Sequence, residues 1–135
     1  MREILFRGKR IDNGEWVEGF YCQVADESDG GARVKHVIVV PTFKTQKGFL
    51  MYEVDLSTVG QYTGLTNLHN NPIFEGDIIK GVCYAGETEG IVTFKNGYYY
   101  IHAYAGYCEQ LSRCSHMVEV IGNIHDNPEL LEVGE

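Results

Sequence analysis

Two carboxylates are the first residues of this chain whose spacing suggests chemistry: Glu75 and Asp77, which stand on either side of Gly76. In a strand both side chains would point to one side, where two acids can bind a divalent metal ion or act as an acid/base pair. The same pattern is typical of a tight turn at the start of a strand, with Asp77 accepting bonds from nearby backbone N–H groups. Because no third ligand lies nearby in sequence, we favour the structural interpretation.

A second group offers the ligand types that zinc prefers, namely His102, Cys108, Cys114 and His116. Their spacing, H-x5-C-x5-C-x-H, lacks the closely spaced cysteine pair that gives structural zinc sites their geometry. We therefore expect buried thiols and a surface histidine, and no metal site. None of the four cysteines of the chain carries a local signature of a nucleophile. The sequence thus predicts no catalytic residue, no cofactor and no enzymatic activity.

Four residues of the segment YYYIHAY offer a surface for contact rather than for catalysis. Strand alternation places one set of side chains inside, namely Tyr99, Ile101 and Ala103. It places an amphipathic set outside, namely Tyr98, Tyr100, His102 and Tyr104. This outer set could pack against Trp16, Phe20 and Tyr21 of the same chain, meet a second copy or another protein, or stack on a nucleic-acid base or small ligand.

The charge balance narrows these alternatives. A formal net charge of −8 and a pI near 5.0 disfavour binding to a phosphate backbone, which depends on a clustered basic surface. The apolar runs are too short for a membrane-spanning helix, and the N-terminal segment MREILFRGKR lacks the apolar core of a signal peptide. We expect a cytoplasmic protein with reduced cysteines, no membrane partner, and a protein partner or a homo-oligomer.

The strands that must position these residues are indicated by short apolar runs between turn signals. Asn13-Gly14 and Asn96-Gly97 predict hairpins, and Pro41 ends an apolar run. Residues 58–72, with glycines at 60 and 64, look irregular. Pro128 suits the first position of a short C-terminal helix or turn. The pattern predicts an all-β protein, a small antiparallel barrel or sandwich.

Three separated motifs add a family resemblance: GQYTGL at 60–65, IFEGDIIK at 73–80 and VIGNIHDNPELLE at 120–132. With the opening REILFRGKR and Trp16, they resemble the YopX family of bacteriophages and prophages. One departure is the segment TNLHNNP at 66–72, where family members often have a charged, glycine-containing turn. The motif residues that we take to be structural are Gly60, Gly64, Glu75, Gly76, Asp77, Gly122, Asn123, Asn127 and Pro128.

The resemblance implies a β-rich N-terminal region with a hairpin, residues 1–57, followed by an SH3-like β-barrel region, residues 58–135, in one continuous unit. It implies no established activity. Our leading hypothesis is a non-enzymatic phage or prophage accessory protein that acts through protein contacts and self-associates. The alternatives are a nucleic-acid-binding SH3-like module and an oligomer that binds a small ligand at a subunit junction lined by Tyr98, Tyr100 and His102.

Overall fold

The computed structural model describes residues 2–43, 46 and 48–132. Residues 1, 44, 45, 47 and 133–135, which belong to the two predicted regions, lie outside this description. The chain divides into two compact units, residues 1–61 and 62–135, which are described separately below. In the described ranges, no helix is long and apolar enough to cross a membrane.

Unit 1 is an antiparallel sheet with the order β4-β3-β2-β1-β5. Its strands are β1 (Phe6–Lys9), β2 (Trp16–Asp26), β3 (Arg33–Pro41), β4 (Phe49–Glu53) and the first residues of β5 (Gly60–Thr66). The predicted first hairpin is confirmed by the register of Lys9 opposite Trp16. Short 3-10 turns at Glu27–Asp29 and Leu56–Thr58 are capped by the side chains of Asp26 and Asp55.

β5 replaces most of the segment that we expected to be irregular, so that prediction was wrong. The glycine at 64 has φ of 83° and lies where the pairing of β5 with β6 shifts register, between Tyr62 and Thr66. Between these two pairs β5 advances four residues and β6 advances two, so the irregularity adds two residues to β5 without ending it. The glycine that suggested a turn therefore allows the strand to bend and continue.

Unit 2 holds the remaining elements. They are β6 (Pro72–Phe74), β7 (Asp77–Cys83), β8 (Gly86–Lys95), β9 (Tyr98–Ala103), β10 (Cys108–Gln110), α1 (Leu111–Cys114), β11 (Val118–Asn123), and 3-10 turns at Ser115–Met117 and Pro128–Glu132. Five strands form an antiparallel sheet in the order β10-β9-β8-β7-β11. The all-β prediction is confirmed, and the C-terminal turn begins at Pro128 as expected. Among the described residues β10 and β11 do not pair, so the sheet is open; the SH3-like barrel stays a prediction.

The core of unit 2 lies on one face of this sheet. It contains Ile73, Ile79, Cys83, Val92, Ile101, Leu111, Cys114 and Val118. Each central strand gives alternate residues to this face, as the period of two requires. A Cβ on Gly90 would lie 2.3 Å from the carbonyl oxygen of His102, so only glycine allows β8 and β9 to approach this closely. The register of β8 and β9 places Gly90 opposite Ala103.

Candidate functional site

The β8–β9 hairpin carries the predicted contact residues. Its turn residues, Asn96 and Gly97, both have positive φ (51° and 86°), as a two-residue hairpin turn requires. Beyond this turn Ile101 and Ala103 are buried, whereas Tyr98 is 54% exposed. The alternation expected from the sequence is thus present in β9.

The outer side chains of β9 form a row that we call the tyrosine row: Tyr98, Tyr100 and His102. The rings of Tyr98 and Tyr100 meet edge to face with centroids 6.3 Å apart. Across the strand pair, Tyr98 lies opposite Lys95, and Tyr100 lies opposite Thr93. The row is amphipathic, because its large rings carry polar tips, and such surfaces suit a partly hydrated contact.

Tyr104 does not continue the row. It follows the last residue of β9 in a turn, and its backbone N–H donates to the carbonyl oxygen of Glu89 at 3.1 Å. Its hydroxyl is buried and has no hydrogen-bond partner among the described residues. Burial raises the pKa of this phenol, and the Glu89 carboxylate raises it further.

The structure separates the four predicted zinc ligands. Cys108 Sγ lies 3.6 Å from His102 Nδ1 across β9 and β10, and both residues are exposed. Cys114 is fully buried in the core of unit 2, and His116 is exposed in the 3-10 turn after α1. Of the four predicted ligands, the fold therefore brings His102 and Cys108 together, and it places Cys114 and His116 elsewhere in unit 2.

Cys114 instead has two neighbours that sequence reasoning missed. Ligand atoms of Cys83, Glu109 and Cys114 all lie within 4.8 Å of one another. Burial raises the pKa of the Cys114 thiol, and its contact with Cys83 adds to the effect. Cys83 ends β7 and Glu109 lies in β10 opposite buried Ile101, so both reach the inner face. The inward position of Glu109 could have pointed to this group, but it can be recognised only when the β9–β10 register is known.

The Glu75–Asp77 pair has the geometry of a turn. Asp77 is 2% exposed, and its Oδ2 accepts a bond from the Phe74 backbone N–H at 2.8 Å. Gly76 has φ of 85°, and its N–H donates to the Val92 carbonyl at 3.0 Å. These contacts give Asp77 the local backbone role that we favoured from the sequence.

The C-terminal motif is a turn stabilised by its own amides. Asn123 Oδ1 accepts bonds from the N–H groups of His125 (3.0 Å) and Asp126 (2.9 Å). Asn127 Oδ1 accepts in turn from the Asn123 N–H at 3.2 Å. A Cβ on Gly122 would lie 2.5 Å from this Asn127 oxygen, which explains why this position is a glycine. The motif residues thus serve the turn after β11.

Unit 1 offers an open groove of about 510 Å³. Its lining mixes the basic side chains of Lys9 and Lys35 with the acidic ones of Glu53 and Asp55. The Arg10 guanidinium at its edge is held by Asp12 at 2.6 and 2.9 Å. The groove therefore lacks the uniform positive lining that would favour a phosphate group.

A second surface of unit 1, which we call the apolar face, consists of Phe20, Val39, Phe49 and Met51. Val39 lies opposite Phe20 on β2 and opposite Met51 on β4, so the three side chains share one side of the sheet. Phe20 is 52% exposed and Met51 is 48% exposed. Sequence reasoning named Phe20 only as one possible intrachain partner of the tyrosine row. It did not single out this face, because the pairing of three strands creates it.

The comparisons place the chain among known proteins. The family model described as YopX protein matches residues 5–132. The crystal structure of protein EF1440 from Enterococcus faecalis matches at 22% identity over 98% of this chain and 100% of that one, with a TM-score of 0.56. A comparison with curated proteins finds no match. The structural likeness shows a shared fold, and the match over nearly the whole chain shows that the chain belongs to the YopX family.

Proposed function

We propose that this chain is a non-enzymatic phage or prophage accessory protein that acts through protein contacts and pairs with a second copy of itself. The observation that carries the proposal is the apolar face of unit 1. Two of its large side chains, Phe20 and Met51, leave about half of their surface exposed. Full burial of such a side chain contributes about 1.5–3 kcal/mol, so covering the exposed half of each contributes about half of that, to set against the entropic cost of association.

The surroundings of the apolar face resemble those of a protein interface. The four residues that define it include no charge, whereas Glu18 and Glu53 lie two residues beyond Phe20 and Met51 along their strands. Interfaces between proteins have an apolar centre with charged residues depleted, and a polar rim. The face also extends to β4, which is the edge strand of its sheet in the described part of the chain. A second molecule could therefore approach it from that side.

A second copy is the occupant that this face fits best. A two-fold axis through the face would bring each Phe20 and Met51 against the same residues of the other chain, so apolar surface meets apolar surface. The glutamates at the rim would remain in water, where repulsion between two acidic chains is screened by salt. No positively charged partner is needed.

The non-enzymatic part of the proposal is supported by the local roles of the reactive residues. Asp77 accepts a backbone N–H bond in a turn, and Asn123 and Asn127 stabilise the turn after β11. The phage or prophage role is supported by membership of the YopX family alone.

The two exposed cysteines allow a direct test, because each marks one candidate surface. Cys22 lies two residues from Phe20 on the side of the apolar face, and Cys108 lies opposite His102 in the tyrosine row. The variant Cys108→Ser retains Cys22, and the variant Cys22→Ser retains Cys108. Each would be treated with a short bis-maleimide cross-linker and resolved by denaturing electrophoresis.

We expect a covalent dimer through Cys22, and we expect Phe20→Glu in the same background to abolish it. The matched control is Val82→Glu, which adds the same charge at an exposed valine of β7 in unit 2. A dimer through Cys108 alone would assign the contact to the tyrosine row and overturn the apolar face. Absence of cross-linking through either cysteine would contradict self-association by both surfaces.

A further inference from the structure

We propose that Cys83, Glu109 and Cys114 form a zinc-binding site inside unit 2. One ligand atom from each residue lies within 4.8 Å of the other two. In a tetrahedral site with Zn–S near 2.3 Å and Zn–O near 2.0 Å, neighbouring ligand atoms are about 3.3–3.8 Å apart. Small side-chain rotations would therefore close the three ligands on one ion.

The carboxylate of Glu109 gives an independent reason for a cation here. Its Oε2 is buried and makes no hydrogen bond within the described part of the chain. A buried carboxylate oxygen without a partner is costly, and native structures almost always satisfy such groups. An ion held between this oxygen and two thiolates would supply the missing partner.

The three ligands come from elements that the fold already holds together. Cys83 is the last residue of β7, Glu109 is the middle residue of β10 and Cys114 is the last residue of α1. Cys83 and Cys114 belong to the same buried cluster, so their sulfur atoms approach in a dry environment. Metal binding would link the corner formed by β10 and α1 to the end of β7, and its binding energy would add to the stability of unit 2.

The donor types point to zinc rather than to a harder cation. Magnesium and calcium are bound by oxygen ligands, whereas thiolates select zinc and other soft metals. Two thiolates and one carboxylate carry three negative charges, which zinc reduces to one. The guanidinium of Arg113, next to Cys114 in α1, provides further positive charge nearby. Three protein ligands leave the fourth position of the ion to water.

The competing assignment is a disulfide between the two thiols, since the sulfur atoms of Cys83 and Cys114 lie within 4.8 Å of each other. A disulfide would consume both sulfur ligands and exclude the metal. Counting free thiols after denaturation without reductant separates the two, because a zinc site preserves all four thiols and a disulfide preserves two of the four.

The test uses the full chain, purified without chelators or added metal. We expect about one equivalent of zinc by elemental analysis, and a cobalt-substituted form with a thiolate-to-cobalt charge-transfer band and the intense visible bands of tetrahedral cobalt. Glu109→Gln should weaken cobalt binding at least about tenfold, because it removes a direct ligand. Cys83→Ser should abolish the charge-transfer band or reduce it strongly.

The controls are Cys22→Ser and Cys108→Ser, which remove the exposed thiols and should leave zinc content and the cobalt spectrum unchanged. Circular dichroism would test whether each variant is folded. If the variants at the buried cysteines fail to fold, Glu109→Gln still tests the site. Absence of the cobalt band at stoichiometric metal, loss of binding in Cys108→Ser, unchanged affinity in Glu109→Gln, or a count of two thiols would each overturn the site.

Discussion

The backbone N–H of Ile124 donates a hydrogen bond of 2.9 Å to the carbonyl oxygen of Gly76. This bond joins the turn before β7 to the turn after β11, two segments that are separated by more than forty residues in sequence. A Cβ at Gly76 would lie 3.6 Å from the Ile124 side chain, in ordinary contact. Two motifs that carry the family resemblance therefore stabilise one corner of unit 2.

Gly122→Ala tests this corner. The added methyl group would meet the Asn127 amide, whose oxygen lies 2.5 Å from the Cβ position. Because that amide is held by the Asn123 N–H, it cannot move without losing the bond. We expect a loss of about 1–3 kcal/mol in the free energy of unfolding, measured by urea denaturation.

The double variant Gly122→Ala/Asn127→Ala is the control for that clash. Removing the Asn127 amide should relieve the crowding, so the combined loss should be smaller than the sum of the two single losses. Strict additivity would show that the two side chains do not interact.

Asn123→Ala should also destabilise unit 2. It removes the oxygen that accepts from two backbone N–H groups and leaves both without that partner. We expect a loss of about 1–3 kcal/mol by urea denaturation. Asn13→Ala is the matched control, because Asn13 accepts one bond in an exposed turn. Its loss should stay within about 0.5 kcal/mol, and equal losses at both positions would contradict the assigned role.

Tyr104→Phe should alter stability at alkaline pH. Burial raises the pKa of the Tyr104 phenol, so above about pH 10 the unfolded chain loses this proton while the folded chain retains it. Stability associated with Tyr104 is therefore present below that pH and is lost as the pH rises through the folded pKa. Tyr104→Phe removes this loss, and it removes a buried hydroxyl that has no partner among the described residues.

The measurement is the melting temperature between about pH 7 and pH 11 for wild type and Tyr104→Phe. The variant should melt at or above wild type near neutrality, and its advantage should grow with pH. The same substitution at exposed Tyr98 is the control. If the melting temperature of wild type instead rose above that of Tyr104→Phe as the pH increased, the raised pKa of Tyr104 would be contradicted.

If the chain were a nucleic-acid-binding module, it would bind oligonucleotides, whereas we expect no such binding. Arg7 and Lys9 lie over the Trp16 ring at 4.7 and 5.5 Å, so two cations meet one aromatic side chain of unit 1. The net charge of −8 opposes a phosphate backbone overall. Fluorescence anisotropy with single- and double-stranded oligonucleotides should show no saturable binding, even at low salt. Saturable binding that Arg7→Ala weakens would favour the alternative.

The features that the sequence predicted well depend on neighbours along the chain. The β8–β9 hairpin follows from Asn96-Gly97 and from side-chain alternation, and the local role of Asp77 follows from the glycine before it. The bulge at Gly64 was mistaken for a turn because the two share the same residue type and the same positive φ.

What the sequence could not predict depends on strand register. The apolar face requires that Phe20, Val39 and Met51 lie opposite one another on three strands. The group of Cys83, Glu109 and Cys114 requires that the end of β7 lies near β10 and α1. Neither pairing leaves a pattern within a short window, because each joins residues distant in the chain.

Sedimentation velocity of the wild-type chain over a wide concentration range, beside Met51→Lys, is the sharpest test of self-association through the apolar face. We expect the wild-type mass to rise from 15.2 kDa toward twice that value as concentration increases, and Met51→Lys to stay at the monomer mass. A wild-type monomer at every concentration, or a Met51→Lys variant that dimerises as well as wild type, would contradict it.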